Sequence, residues 1–397
     1  MIAAGIENNG GGEGVGQLTL LAMAVASGVA VANIYYNQPI LGIIEHEFGN
    51  ETIVGFVPMA TQLGYALGLF LLLPLGDLVS RHRLILIQFI MLATALVLMA
   101  LSTTPCMLVG TSLLVGVTST VAQQIVPFAA TLAAPEKRGA AIGTVMSGVL
   151  AGILFSRTVS GYIGEHLGWR DVFLFGTPVA LLAGLMMFLV LPKHAPTSKL
   201  SYSRALKSLG EIWLKEPSLR QAALTQAALF ASFSAFWTIL AFYLQSPRFN
   251  LGADIAGLFG IIGAIGIFAA PLAGRIADRR GPHPVVCLGA LLTLLAWAIL
   301  GFWGSLAALI IGVIILDFGV QSALVSNQHI VLTLGHETRS RINTLFMTSM
   351  FLGGAAGSGL ASLGWSHAAW PAVSGIGATL ALVGILLFAK GARRKVK

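Results

Sequence analysis

The chain has 397 residues, of which 56% are hydrophobic and only 10% are charged, and its mean hydropathy is +0.86. This composition excludes a soluble globular protein and predicts a helical protein that crosses a membrane many times. The net charge of +8 is typical of lysine and arginine collected in the cytoplasmic loops of a membrane protein and needs no nucleic-acid partner.

Twelve apolar stretches of spanning length, about 20 residues or more, follow one another along the chain. They cover residues 17–44, 53–75, 84–103, 105–134, 140–163, 171–192, 219–245, 255–273, 285–303, 305–333, 342–363 and 371–390. Because lipid forces backbone polar groups to pair within their own segment, all twelve are predicted to be helices. The polar first 16 residues lack the layout of a cleaved signal peptide, so we expect the first span to remain.

Basic residues are distributed unevenly between the loops. If the N-terminus is cytoplasmic, 20 of the 23 lysines and arginines fall in cytoplasmic segments, Arg170 and Arg248 fall on the other face, and Arg157 lies inside a span. This bias predicts a bacterial-type inner-membrane protein with both termini in the cytoplasm. The predicted parts are an N-terminal tail, a six-span bundle, a cytoplasmic linker, a second six-span bundle and a basic tail: 1–16, 17–192, 193–218, 219–390 and 391–397.

The two halves share residues at a constant offset of 201 positions. The matched pairs are Asp77 and Asp278, Arg138 and Arg339, Met146 and Met347, and Gly152 and Gly353. Four matches in corresponding loops and spans indicate an internal duplication. Transporters are often built from such repeats, with the substrate site at the repeat interface near the membrane midplane.

Apart from the boundary residues Gln17 and Asn343, the spans hold 13 Asn and Gln, and eleven of these lie in the first, fourth, seventh and tenth spans. Amides in lipid are unfavourable unless they are bonded or hydrated, so these four helices are predicted to surround a polar cavity. Glycines crowd the second, fifth, eighth and eleventh spans, where small residues let helices approach closely. The amides that we expect to bind substrate are Asn33, Asn37, Gln123, Gln124, Gln226, Gln321 and Gln328.

Aromatic side chains accompany the amides in two of these spans. Tyr36 shares a helical face with Asn33 and Asn37, and its ring could stack on a substrate or belong to the aromatic belt of the membrane interface. In the seventh span Phe233 and Trp237 share a face, either as core packing or as a wall of the binding site.

Two charged side chains, Arg157 and Asp317, lie well inside spans, and neither has a charged counterpart at the 201-residue offset. Asp317 lies about 18 Å from the predicted outer end of its helix, and Arg157 about 9 Å from the outer end of its own. Asp317 is predicted to bind a proton or substrate, the alternative being a structural ion pair. Arg157 could pair with Asp317, bind an anionic substrate group or extend to the outer surface. The difference in depth, about 9 Å, is long for a direct contact.

Two loops carry similar charged motifs. GDLVSRHR after the second span contains Asp77 and Arg81, and GRIADRRGPH after the eighth contains Gly274, Asp278, Arg279 and Gly281. A carboxylate at a helix end can bond backbone N–H groups or an arginine of the other half, which would latch one conformation. The alternative is a turn whose charges merely suit the helix dipoles.

With these motifs the chain resembles the major facilitator superfamily over essentially its full length. The resemblance implies that the first, fourth, seventh and tenth helices line the cavity and that the second, fifth, eighth and eleventh form the contact between the halves. The eighth-span loop matches the superfamily's cytoplasmic signature, whereas the earlier loop has Leu73 and Ser80 where glycines are expected.

The fifth span resembles the antiporter motif of the drug:proton branch of that superfamily. It keeps the spacing Gly143-x8-Gly152-x3, but serines replace two of the glycines and Arg157 occupies the proline position. The arginine expected in the fourth span is absent, with Ser112 near its place. The motif favours export by proton antiport.

The sequence contains no P-loop, nucleophile elbow or HExxH motif, so we expect neither an enzyme nor an ATP-driven pump. Cys106 and Cys287 provide no metal-ligand spacing, and we expect no metal or cofactor. The predicted function is secondary active transport, by proton-coupled efflux of a small organic solute. Proton-coupled uptake of a small polar metabolite and a receptor or scaffold that transports nothing are the alternatives. The expected partners are the solute, protons and lipid, and the protein is expected to be monomeric.

Overall fold

The computed structural model describes residues 16–192, 201–264, 266, 269–335 and 338–395, and these residues are helical apart from short turns. Most of the predicted N-terminal tail, residues 193–200 of the linker and the last two residues lie outside the described part. So do the side chains of Asp77 and Asp278.

Eight helices form the N-terminal half. They are α1 (Gln17–Tyr35), α2 (Leu41–Phe48), α3 (Glu51–Leu72), α4 (Arg81–Ala100), α5 (Pro105–Ser119), α6 (Val121–Leu132), α7 (Arg138–Leu167) and α8 (Trp169–Val190). The linker contains α9 (Tyr202–Lys215). The C-terminal half contains α10 (Pro217–Gln245), α11 (Ala253–Gly263), α12 (Ala269–Arg280), α13 (Pro282–Phe302), α14 (Leu306–Leu332) and α15 (Arg339–Lys395).

Ten helices in the described part are long and apolar enough to cross a membrane. The long helix α15 holds two of the predicted spans, since Ala368 and Ala369 leave helical geometry and separate them. The described residues of the eighth predicted span lie mainly in α11 and α12. The described residues of all twelve predicted segments are therefore mainly helical.

The first span ends earlier than the hydropathy predicts. Helix α1 stops at Tyr35, residues 36–40 form a turn, and α2 begins at Leu41. Pro39 accounts for the break, because its ring would clash with the carbonyl of Tyr35 in a continuous helix and it has no N–H to donate.

The same close helix approach occurs in both halves. A Cβ atom at Gly152 of α7 would overlap the carbonyl oxygen of Gly28 on α1, and one at Gly353 of α15 would overlap that of Ala227 on α10. Gly152 and Gly353 are one of the pairs separated by 201 positions, so the duplicated residues make duplicated contacts. Only the absence of a side chain permits backbones to approach so closely.

Helix α9 identifies one end of the molecule, which we call the linker end. Leu209 of α9 belongs to a buried cluster with Leu219 and Phe346 of the C-terminal half, and the Tyr202 hydroxyl donates to the Leu71 carbonyl of α3 at 2.9 Å. The linker helix thus contacts both halves. The opposite end, at which Glu51 and Glu165 lie, is called the far end.

Candidate functional site

Arg157 lies buried at the contact between the two halves. Its guanidinium Cζ atom is 4.6 Å from the ring centroid of Tyr35, at the end of α1, and 4.0 Å from that of Trp237 on α10. Its Nε atom donates a hydrogen bond to Gln38 Oε1 at 2.8 Å, whereas Nη2 is buried without a partner. The side chain is 4% exposed, so the alternative that it extends to the surface is wrong.

Asp317 of α14 is also buried, at 6% exposure, and its Oδ2 atom has no hydrogen-bond partner within the described part of the chain. A Cβ atom at Gly263 would lie 3.2 Å from Asp317 Oδ1 and 2.9 Å from Cζ2 of Trp237. The carboxylate and the indole therefore border the same glycine. The indole N–H of Trp237 is close to Asp317 but lacks hydrogen-bond geometry, so it too is without a partner.

A stripe of glycines in the eighth span lies against both charged residues. Cβ atoms at Gly257 and Gly260 would lie 2.5 Å from the Arg157 carbonyl oxygen and 3.0 Å from Arg157 Cβ, and one at Gly266 would lie 2.8 Å from Asp317 Cβ. The stripe lets an arginine of one half and an aspartate of the other pack along one helix face.

Arg157 and Asp317 form no ion pair in the part of the chain that the structure describes. Arg157 lies against Gly257 and Gly260, and Asp317 first approaches the stripe at Gly263. Gly260, which meets the Arg157 side chain, and Gly263, which meets the Asp317 carboxylate, are three residues apart, about 4.5 Å along the helix axis and less than the roughly 9 Å expected from the sequence. Arg157 is thus packed against the C-terminal half, near Asp317, without a direct ion pair between the two side chains.

The first span presents different residues to this site from those predicted. A Cβ atom at Gly176 of α8 would lie 3.3 Å from both Asn33 Oδ1 and Tyr36 Cε2, so these two side chains face α8. Asn37 Nδ2 donates to Thr61 Oγ1 at 2.9 Å. Tyr35 and Gln38, which contact Arg157, were not among the predicted site residues, because the break before Pro39 removes the helical face on which that prediction relied.

Most other predicted amides bond within their own half. Gln124 Nε2 donates to the Leu72 carbonyl at 2.7 Å, and Gln123 lies beside the Tyr65 hydroxyl. Asn327 Nδ2 donates to Gln226 Oε1 at 3.1 Å, Gln328 Nε2 donates to Asn343 Oδ1 at 3.2 Å, and Gln321 is half-buried. Phe233 stacks on Phe230 with centroids 5.4 Å apart and lies next to Trp237. A substrate-binding role for these residues remains a prediction.

A second polar contact joins the halves at Gln62 of α3. Its Nε2 donates to Ser358 Oγ at 2.8 Å and its Oε1 accepts from Ser234 Oγ at 3.1 Å. Ser358 lies 201 positions after Arg157, so the residue equivalent to the buried arginine also contacts the other half, with neutral groups. The contact continues toward the far end, where Ser362 Oγ donates to the Gly55 carbonyl at 2.7 Å and Trp365 donates to Glu51.

The far end is closed along α7 and α11. Glu165 Oε2 accepts a hydrogen bond at 2.7 Å from the backbone N–H of Ala253, the first residue of α11. Thr158 Oγ1 donates to the Gly257 carbonyl at 3.2 Å. At the linker end, by contrast, Cβ atoms at Gly139 and Gly143 of α7 and at Gly274 of α12 would meet nothing within 4 Å.

Two members of the predicted latch, the side chains of Asp77 and Asp278, lie outside the described part of the structure. Arg81 Nε donates to the Gly76 carbonyl at 3.0 Å and Nη1 to Thr131 Oγ1 at 3.3 Å, both in its own half. Arg279 is exposed, and Gly281 precedes α13 with a positive φ of 82°. The latch stays a prediction.

The model of the family described as the Major Facilitator Superfamily matches residues 23–358. The chain belongs to the major facilitator superfamily. The chain is therefore a multi-pass membrane transporter rather than an enzyme, and the predicted fold of twelve helices in two pseudo-symmetric six-helix bundles is confirmed.

Individual relatives agree with this assignment. The chain is 40% identical over 378 residues to the putative uncharacterized transporter YgaY of Escherichia coli (strain K12), covering 95% of this chain and 96% of that one. It is 26% identical over 168 residues, 40% of each chain, to the multidrug resistance protein MdtG of Klebsiella pneumoniae (strain 342). The crystal structure of the human organic anion transporter MFSD10 (TETRAN) matches with a TM-score of 0.71 at 18% identity, covering 94% of this chain and 100% of that chain. This last match shows the fold alone.

Proposed function

We propose that the protein exports a small organic solute across the bacterial inner membrane in exchange for protons, by alternating access. The observation that carries the proposal is the placement of Arg157 and Asp317, from opposite halves, against one glycine stripe with unpartnered polar atoms on each. Buried charges without direct partners are costly, which favours a functional role over a structural one.

The distribution of basic residues places the linker end in the cytoplasm in this proposal. The structure then corresponds to a transporter closed toward the outside by Glu165, Gln62 and Glu51. Opening outward requires these contacts to separate while the halves close at the linker end. A solute bound between the halves would be released on the far side by this movement.

In this mechanism Asp317 accepts a proton from the outside and releases it to the cytoplasm. Arg157 supplies a positive charge at the interface between the halves. A carboxyl group that no side chain neutralises can change its proton occupancy when solute enters or leaves. Export rather than uptake is supported by the antiporter-like spacing of the fifth span and by the partial similarity to MdtG.

The test uses the full chain in proteoliposomes with an imposed pH gradient and an entrapped pH-sensitive dye. A panel of organic cations, anions, zwitterions and neutral solutes is applied, and solute-dependent proton flux is recorded for the parent and for Asp317→Asn. We expect at least one solute to move protons in the direction opposite to itself, and Asp317→Asn to lower this flux at least tenfold while its thermal unfolding stays close to that of the parent.

Asp171→Asn serves as the matched control, because Asp171 lies in the first turn of α8, remote from the glycine stripe, and should leave the flux unchanged. Movement of protons and solute in the same direction would show that the protein takes up its solute with protons and does not export it. Absence of gradient-dependent movement for the whole panel would favour a receptor or scaffold, and undiminished flux in Asp317→Asn would remove this residue from the mechanism.

A further inference from the structure

Three buried polar atoms around the glycine stripe lack hydrogen-bond partners among the residues that the structure describes. They are Nη2 of Arg157, Nε1 of Trp237 and Oδ2 of Asp317. A buried polar group without a partner destabilises a protein, and more so when the group is charged. Three such atoms around one indole ring are therefore best explained as contacts reserved for a ligand.

The side chains of Arg157 and Asp317 require ligand groups of opposite charge. The free N–H of the Arg157 guanidinium suits an anionic oxygen, for which arginine is the best protein donor. The free Asp317 oxygen suits a donor that carries positive charge. Since the two side chains do not pair with each other, a ligand bound between them can satisfy both only if it has an anionic and a cationic end.

We propose that the site binds zwitterions, with a carboxylate at Arg157 and an ammonium group at Asp317. This inference rests on the proposed function, in which the interface of the halves is the substrate site. Both charged side chains lie beside the Trp237 ring and beside glycines, which have no side chains. These boundaries favour a slender apolar chain between the two charged ends of the ligand.

Ligands with a single charge are disfavoured by the same groups. An anion alone would leave Asp317 unpaired and would be repelled by it, and a cation alone would meet the same penalty at Arg157. Sites that contain buried polar groups reject analogues that leave those groups unpaired more strongly than they reject analogues of altered size. An ammonium group at Asp317 would also compete with a proton there, which links this ligand class to exchange.

The experiment measures binding to the purified full chain in detergent, without a membrane or gradient. The probes are linear ω-amino acids from 4-aminobutanoate to 8-aminooctanoate, each compared with the alkylamine and the alkyl carboxylate of equal length. Binding is read from equilibrium dialysis and from the ligand-induced rise in the unfolding temperature. We expect one chain length to bind at least tenfold more tightly than either of its singly charged analogues.

Two variants test which residue binds which charged end of the ligand. In Arg157→Gln the preference for the zwitterion over the alkylamine should disappear, and in Asp317→Asn the preference over the carboxylate should disappear. Asp171→Asn should keep both preferences. The dialysis of the parent protein needs no variant, so a folding defect in either substitution leaves the main comparison intact.

The zwitterion assignment is overturned if a carboxylate or an alkylamine binds the parent as tightly as its zwitterion, or if no ω-amino acid binds at 10 mM. It is also overturned if both variants keep the parental preferences. Selective zwitterion binding without any proton flux would reject the exchange mechanism but keep this site. Proton-coupled flux of singly charged solutes without zwitterion preference would keep the exchange mechanism but reject the zwitterion site.

Discussion

The guanidinium of Arg157 on α7 lies over the indole of Trp237 on α10, with Cζ 4.0 Å from the ring centroid. The contact joins the two halves of the transporter, and in the resembling antiporter motif the arginine position is a proline. A buried cation–π contact contributes about 2 kcal/mol. This is comparable to the few kcal/mol that separate alternative conformations of a protein.

Removing the ring of Trp237 should therefore weaken the contact more than removing its N–H alone. Trp237→Phe keeps an aromatic face over Arg157 and Trp237→Leu does not, while both lose the indole N–H. We expect Trp237→Leu to be less stable than Trp237→Phe by roughly 1–2 kcal/mol, as a lower unfolding temperature of the purified protein. Equal unfolding temperatures would show that the cation–π contact contributes nothing measurable.

Two glycines of α7 should respond in opposite ways to alanine. A Cβ atom at Gly161 would overlap the Ala253 carbonyl oxygen and lie 3.1 Å from Gly257 Cα, whereas one at Gly143 would meet nothing within 4 Å. Overpacking typically costs about 1–3 kcal/mol, so Gly161→Ala should force the far end apart. Gly143→Ala should be neutral or stabilising by up to about 1 kcal/mol through helix propensity.

The distance between spin labels on Leu167 and His367, which are exposed at the far end of opposite halves, would record this change. The label sites require prior replacement of Cys106 and Cys287, the free cysteines, by serine. We expect a longer distance in Gly161→Ala and the parental distance in Gly143→Ala. The same distance in both variants would mean that α7 and α11 accommodate the methyl group without separating.

Glu165 should stabilise the far-end contact by accepting the first free N–H of α11. A side-chain cap contributes about 0.5–2 kcal/mol, and a negative charge at a helix N-terminus adds a smaller favourable interaction. Glu165→Ala should therefore speed hydrogen exchange of the amides in Ala253–Gly263, measured by mass spectrometry, and Glu165→Gln should have a smaller effect because it keeps an acceptor oxygen. Glu136→Ala, exposed at the linker end, is the control and should exchange like the parent.

The Glu47–Arg170 pair at the far end should contribute stability that depends on pH. Arg170 donates to both carboxylate oxygens of Glu47, at 2.6 and 2.7 Å, and these bonds lower the pKa of Glu47 from its ordinary value of 4.5. A lowered pKa means that the pair stabilises the fold above about pH 4.5 and that this contribution is lost as the pH falls further.

Glu47→Gln should accordingly lower the unfolding temperature at pH 7 by an amount equivalent to at most about 1 kcal/mol, since both side chains are partly exposed. The difference from the parent should shrink as the pH falls below 4.5, because the parent then loses the same charge. A difference that grows toward acid pH would contradict the assignment of the stability to this ion pair.

Some of the candidate site was predictable because burying charge in a membrane is costly. Arg157 and Asp317 are conspicuous in apolar segments. Trp237 was also predicted, from the face that it shares with Phe233. Tyr35 and Gln38 were not, because their approach to Arg157 depends on the chain leaving the helix at Tyr35.

The sequence by itself determined the membrane location, the twelve helices and the duplication, because a bilayer allows only apolar segments with internally paired backbones and a repeat keeps its spacing. Only the tertiary structure decided which side chains meet. Gln124 and Gln226 bond inside their own halves, and the glycines of the eighth span face Arg157 and Asp317 together. These partners depend on how each helix is rotated against helices distant in the chain, and hydropathy, which counts residues along one segment, carries no information about that rotation.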